Sequence, residues 1–597
     1  MRLFAEEIPK PPEPVELRPP DTRERALLED AGNSCPDWDG VLLGPDCRLD
    51  SIRNCRLLPP LTLDLRGSSA SAGGRTAQVG ISGSTLSSCA LYGAVHVSGV
   101  GLLEGMMLRG PTIVSRCGRI EAGGCSGFGI GSKMQLGVET GQRSLPLLPT
   151  LDVETAAHLT SGAGRELLER YVATVEEAAA VASACGAVIG EGSLLLDAGV
   201  ISGSLLAGSV IVDGALALRN SLVLGAGDRP TRIADGALIR DSALQWGAVV
   251  DSMAVVESSI VGECSTVERH GKLLESYLGP DSCLGEGEIT ASLAGPFTAM
   301  HHQSLLIAAR WPAGQGNVGY GANVGSNHTS RAPDQELHCG QGVFFGLGCS
   351  VKYPCSLERA PFSIVATGIT LAPQRVELPF SLICRPGGTR KALPSGHNEI
   401  RPGWVVGHNL YSLWRSLRKY RRRRKARTLW SNPPVLCRKN AELVLRASAM
   451  LSELTGDGPW TGVPGAGANL ITRRSMEEGM GAYRLFLGWY VMDAFLDSLA
   501  GGAAVGQELD AMPEHARRVV RRLRLEDSRE LAAACLELAE ELPELIRRSR
   551  SRDRTRGAEI IEDYAAMHRG TDPVVEDAET FFADIRRRLL TRYTEPS

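Results

Sequence analysis

Four of the chain's eleven histidines, His301, His302, His328 and His338, fall within one short stretch. Imidazole is the side chain best poised to take or give a proton near neutral pH, so this stretch is where acid–base chemistry is expected. His302 and His328 are the candidates for a general base, with His301 beside them on the substrate side. His301 and His302 follow an expected corner at Gly295 and Pro296 and precede an apolar run, SLLIA. His328 falls at a turn of its repeat unit and is expected to face away from the core. Asn323, Asn327, Thr329, Asp334, Gln335 and Glu336 can orient an imidazole or hold a substrate hydroxyl, and Arg331 can meet a phosphate. A turn histidine beside an asparagine can also do no more than cap backbone groups. Residues 296–336 are nonetheless the expected functional centre, because no other part of the repeat is as polar.

A second concentration of chemistry lies further on. Arg415, Arg418, Lys419, Arg421, Arg422, Arg423, Arg424, Lys425 and Arg427 are nine cations in thirteen residues, interleaved with Trp414 and Tyr420 and followed by Trp430. Arg415, Arg418 and Arg421 are the candidates for contact with the phosphates of a nucleotide or coenzyme. The alternative is a solvated helix lying across an acidic partner surface. Residues from 401 onward carry about +6 and the rest about −10, which suits that alternative. The formal net charge of −4 excludes a chain that binds nucleic acid by its overall electrostatics. The 15 cysteines show no CxxC pair or zinc-finger spacing, and Cys339, Cys349 and Cys355 read as buried free thiols in a reduced, cytoplasmic setting. No apolar run approaches a membrane span, and the Pro- and acid-bearing start is unlike a signal peptide.

The elements that must position these groups are set by a period of six. Val188, Leu194, Val200, Leu206, Val212, Leu218 and Leu224 are evenly spaced. After GAGDRPTR (225–232) the period resumes at Ala237, Ala243, Val249, Val255, Val261, Val267 and Leu273. Leu102, Leu108, Val114 and Ile120 are in step upstream, and NVGYGA (317–322) is followed at once by NVGSNH (323–328). Six fits neither an α-helix nor an alternating strand. It fits a coil with three short flat faces, each unit giving a strand and a turn and one aliphatic to a narrow core. The 68 glycines and 5% aromatics agree with many corners and little room for bulk.

The pattern resembles the hexapeptide-repeat superfamily, whose fold is the left-handed parallel β-helix. The resemblance covers 41–143 and 187–385. GPFTAMHHQSLLIA (295–308) and NVGYGANVGSNHTSRAPDQE (317–336) are similar to an uncharacterised bacterial family often labelled UDP-N-acetylglucosamine pyrophosphorylase-related. The superfamily implies acyl transfer: acyl-coenzyme A as donor, a sugar, sugar nucleotide or related hydroxyl or amine as acceptor, a His base, and a homo-oligomer, commonly a trimer. No resident metal is expected. The zinc-binding γ-carbonic anhydrases share the fold, but their HxxxxH spacing is absent. The Gly-rich GxGTR-type loop of a sugar nucleotidyltransferase is absent too. A non-enzymatic scaffold or sugar-nucleotide-binding module is the alternative from another class, since stacked flat faces can hold partners and catalyse nothing.

The expected organisation is a β-solenoid with a helical insertion and an α-helical C-terminal domain. Residues 1–40 are a lead with a short helix, 41–143 and 187–385 two β-helical sections, and 144–186 a helical insertion. Residues 386–432 hold a linker and a basic helix, and 433–597 a helical domain. Helices are expected over 438–455, 475–500, 513–524, 527–550 and 575–593, with SRSRDRTRG (549–557) as an exposed loop.

Overall fold

The computed structural model describes residues 6–7, 16–123, 127–162, 164–325, 334–387, 397–427, 434–504 and 506–594. The chain forms a parallel β-solenoid with a C-terminal region of several helices. It divides into two compact units, Met1–Leu337 with Lys425–Ser431, and His338–Arg424 with Asn432–Ser597.

In the first unit the solenoid runs over 41–121 and 188–325, each turn giving one short strand to each of three sheets. The side chains on its axis from Ile239 onward are Leu244, Val250, Val256, Val261, Val267 and Leu273, all fully buried. They advance by five, six and six residues. Ile239 therefore pairs with Val256, and Val256 with Leu273, one turn of 17 residues apart. A strict frame of six matches two faces and then slips, which is why Val249 and Val255 are only half-buried. The short corner holds a residue at positive φ followed by a buried serine: Asp241 (φ 50°) and Ser242, Glu275 (φ 47°) and Ser276. The left-handed conformation turns the chain in fewer residues than an extended corner needs. GAGDRP (225–230) is looped out ahead of the strand Thr231–Ala234, within a turn lengthened to 21 residues, Leu218 pairing with Ile239.

Between Glu121 and Val188 the chain leaves the solenoid, a wider excursion than the 144–186 expected from periodicity. It forms a hairpin (Lys133–Gln135 with Ser144–Pro146) and the helices Val153–Leu159 and Arg165–Cys185. The longer helix buries Tyr171, Val175, Ala178 and Ala182, a stripe at three- and four-residue spacing. The excursion covers one outer face of the solenoid. Gln245 Nε2 donates to the carbonyls of Pro149 and Leu151 at 3.0 and 3.1 Å, and Tyr277 Oη donates to Leu151 at 2.8 Å. Leu222, Ile260, Tyr277 and Leu293, which point outward, are consequently buried as completely as the axis.

In the second unit Phe344–Phe345, Ile364–Val365 and Leu382–Cys384 pair in parallel, and Asn398–Arg401 closes the sheet antiparallel. Phe362 stacks on Phe380 at 5.5 Å and Phe380 meets Phe486 of the helix Arg473–Ala500 at 4.6 Å. The other tail helices are Arg438–Ser452, Glu514–Leu523, Ser528–Ile560 and Pro573–Thr594. Residues 549–557 are not a loop but lie inside Ser528–Ile560. Arg is a good helix former, and Arg550 is tied to Asp572 at 2.8 Å. The basic helix covers only Leu410–Arg423 and buries Leu410, Leu413 and Trp414 within the helical region, the Trp414 ring lying 5.2 and 5.3 Å from Phe581 and Phe582.

Candidate functional site

His302 sits at the corner between the strands Ala299–Met300 and Leu305–Ile307, at φ 59°. The corner one turn earlier presents Glu286 (φ 58°), and the corner before that Arg269 (φ 51°). Because each turn stacks on the last, these side chains form a row. His302 Nδ1 lies 3.0 Å from Glu286 Oε2, and Arg269 lies 3.9 Å from the other carboxylate oxygen. The backbone repeats the link, with Gln303 N–H donating to the Glu286 carbonyl at 2.8 Å. With Nδ1–H donated to the carboxylate, Nε2 is the basic nitrogen of the ring. The row is a ridge rather than a cleft: the His302 side chain is 60% exposed.

His301 is half-buried, its ring 6.0 Å from that of His302 and tilted by 50°. Asn323 is exposed on a strand that pairs Leu305 with it, so it stands one turn on from the His302 corner. Tyr320, 55% exposed, tops the same ridge at the next corner. Asp334 accepts from Gln335 Nε2 at 3.0 Å, and Glu336 pairs with Arg143 of the excursion at 2.9 Å. His328, Asn327, Thr329 and Arg331 lie outside the described residues. Glu286, Arg269 and Tyr320 escape a reading by sequence proximity; stepping back from His302 by one turn of 16 or 17 residues finds the first two.

The arginines of the basic helix belong to the second unit. Arg418 pairs with Asp577 at 3.1 Å, which also accepts from Trp414 Nε1 at 3.1 Å. Arg421 lies over the Phe581 ring at 5.8 Å, and Arg415 is exposed. Arg418, Arg421 and Arg422 with Trp414 line a hollow of about 220 Å3. Lys425–Arg427, in the first unit, meet acidic groups: the Lys425 and Ala426 N–H groups donate to Asp281, and Arg427 pairs with Asp228 at 2.7 Å.

Cys339, Cys349 and Cys355 are buried, and burial pushes the latter two thiols up to about 12. Such thiols are poor nucleophiles. Among the described residues no three His, Cys, Asp or Glu side chains converge to hold a metal ion, and no helix is long and apolar enough to cross a membrane.

A family model described as "Domain of unknown function (DUF4954)" matches residues 18–400. An "Uncharacterized protein" of Treponema pallidum (strain Nichols) is 28% identical over 141 residues, 24% of this chain. The matched stretch spans only 18% of that relative's length. No solved structure matches the chain.

Proposed function

The chain belongs to this family of unknown function, and from that premise we propose that its solenoid is an acyltransferase of the left-handed hexapeptide-repeat class. The observation that carries the reading is the hydrogen bond of 3.0 Å between His302 Nδ1 and Glu286. A carboxylate that holds one imidazole nitrogen sets the tautomer and leaves the other to act as base. The acceptor, a hydroxyl or amine of a sugar or sugar nucleotide, gives its proton to His302 Nε2 as its oxygen or nitrogen adds to the thioester carbonyl of acyl-coenzyme A. The C–S bond then breaks and the proton passes to the leaving thiolate. A backbone N–H at a tight corner is suited to the transient oxyanion. Asn323, Asn327, Thr329, Asp334, Gln335 and Glu336 are assigned to the acceptor, His328 to a second proton-transfer position and Arg331 to a phosphate, while Arg415, Arg418 and Arg421 are assigned to phosphate binding within the second unit. A ridge needs a facing wall, and a second copy of the chain would supply it.

The test is release of coenzyme A from acetyl-coenzyme A with UDP-N-acetylglucosamine and simpler amino sugars as acceptors, followed by chromatography. His302→Gln is expected to lower kcat about 10²- to 10⁴-fold with little change in KM. Full turnover by this variant would refute the role of His302.

A second reading rests on the exposure of the same ridge. Corners that project into solvent suit a scaffold that binds partners without chemistry. Failure of coenzyme A and UDP-sugars to raise the melting temperature would favour it, because a ligand that binds only the folded state stabilises by mass action.

A further inference from the structure

The helix Leu410–Arg423 carries six cations and no acidic residue in its 14 positions. Leu410, Leu413 and Trp414 turn one side of it into the helical region, where Arg418 meets Asp577 and Arg421 the Phe581 ring. The opposite side presents Ser412, Arg415, Ser416, Lys419, Arg422 and Arg423, at steps of three and four residues. Each of these side chains can donate a hydrogen bond, and none is a carboxylate or an apolar group.

Arginines on the solvent side of other helices are matched by a glutamate four residues away. Arg165 pairs with Glu169, Arg473 with Glu477, Arg474 with Glu478 and Arg548 with Glu544, at 2.7–3.0 Å. Arg415, Arg422 and Arg423 are exposed, and none of the three forms an ion pair among the described residues. The helix dipole favours cations in the last turn, which accounts for the sign of Arg422 and Arg423 but not for Arg415 in the middle. A strip of like charge repels itself until an extended anion lies along it. A lipid surface is the poorer fit: interfacial helices bury an apolar face in the bilayer, and here that face is already buried in the protein. Arg415 to Arg423 spans about 12 Å, the axial length of about three or four phosphates on one strand of a duplex.

We infer that this strip is a nucleic-acid docking surface, which holds the phosphate backbone of a duplex without reading its bases. The four cations meet phosphate oxygens, and the Ser412 and Ser416 hydroxyls donate beside them. The formal net charge of −4 keeps the rest of the chain from joining, so the footprint is short and the affinity modest. The inference is independent of acyl transfer and, apart from Arg415, uses no residue assigned to it.

The experiment is fluorescence anisotropy of a labelled DNA duplex of about 20 base pairs, titrated with the full chain between about 50 and 200 mM NaCl. The expected Kd lies between about 10⁻⁴ and 10⁻⁶ M, and log K falls against log salt with a slope of about −3 to −4. Arg422→Gln combined with Arg423→Gln should weaken binding at least about 10-fold and bring the slope to about −2, whatever the duplex sequence. Arg415→Gln alone should lower the slope by about 1 and keeps the test open if the double variant unfolds, which circular dichroism checks. Arg473→Gln, on another helix, should bind as the parent does. The inference is overturned if the duplex stays unbound at the lowest salt, or if the strip variants bind it as the parent does. It is overturned equally if Arg473→Gln weakens binding as much as they do, or if the chain sediments with phosphatidylglycerol vesicles and leaves the duplex unbound.

Discussion

The Ser242 hydroxyl accepts the backbone N–H of Ser259 at 3.1 Å, one turn of the solenoid away. Ser259 does the same for Ser276 at 2.9 Å, and Ser276 for Ser292 at 3.0 Å. Ser204 and Ser221 precede them in the same column. Each hydroxyl also donates to a carbonyl two residues back, as Ser259 does to Glu257 at 2.6 Å. The short corner has too few residues for every amide to find a strand partner, and the serine column supplies the missing acceptors inside a dry wall.

Ser259→Ala should therefore cost about 1–3 kcal/mol, because it strands the Ser276 amide without water. Urea unfolding followed by circular dichroism measures it as a lower midpoint. A loss within error would mean the corner relaxes to find another acceptor.

Removing the Tyr277 hydroxyl should loosen the excursion rather than the solenoid. Tyr277→Phe leaves the Leu151 carbonyl without its 2.8 Å partner while keeping the ring in place. Limited proteolysis should cut more readily around 147–152, with little change in overall melting. Unchanged cleavage would show that Gln245 alone holds the segment.

Acid should weaken the start of the chain before the solenoid. Two hydrogen bonds of 2.7 Å from Arg18 hold the Glu24 carboxyl down to about 2, against an ordinary 4.5. A depressed acid contributes stability above the unfolded value and loses it as pH falls through the folded one. Amide protection in the helix Thr22–Asp30, taken relative to intrinsic exchange at each pH, should fall between about pH 4.5 and 2, and Glu24→Gln should flatten that dependence.

Thiol chemistry should be slow throughout the native solenoid. Burial pushes Cys89 up to about 11 and Cys355 to about 12, and Cys339 well above its ordinary value. At pH 8, labelling with a disulfide reagent followed by mass spectrometry should leave these three unmodified until denaturant is added. Rapid native labelling of Cys339 or Cys355 would mean that this part of the solenoid opens readily.

Much of the architecture is legible along the chain because its causes are local. The six-residue spacing of aliphatics is enough to announce a three-faced coil, and the turn chemistry of GAGDRPTR marks where a rung swells. Tail helices are readable from three- and four-residue stripes to within a few residues. The arginine-rich stretch 549–557 is misread because Ser and Arg resemble a loop in composition while Arg favours helix. Hydrophobic spacing says nothing of a corner's length. Only the folded chain shows that one corner in each 17-residue turn is one residue short, since the signal there is a left-handed residue and a buried serine.

The sequence by itself determined the solenoid and the helical tail, because periodicity and composition act between near neighbours. The tertiary structure decided that His302 meets Glu286 from the turn before and that the excursion between Glu121 and Val188 buries one outer face. Those contacts depend on rung length and on how helices distant in sequence pack, and neither is written in any local run of residues.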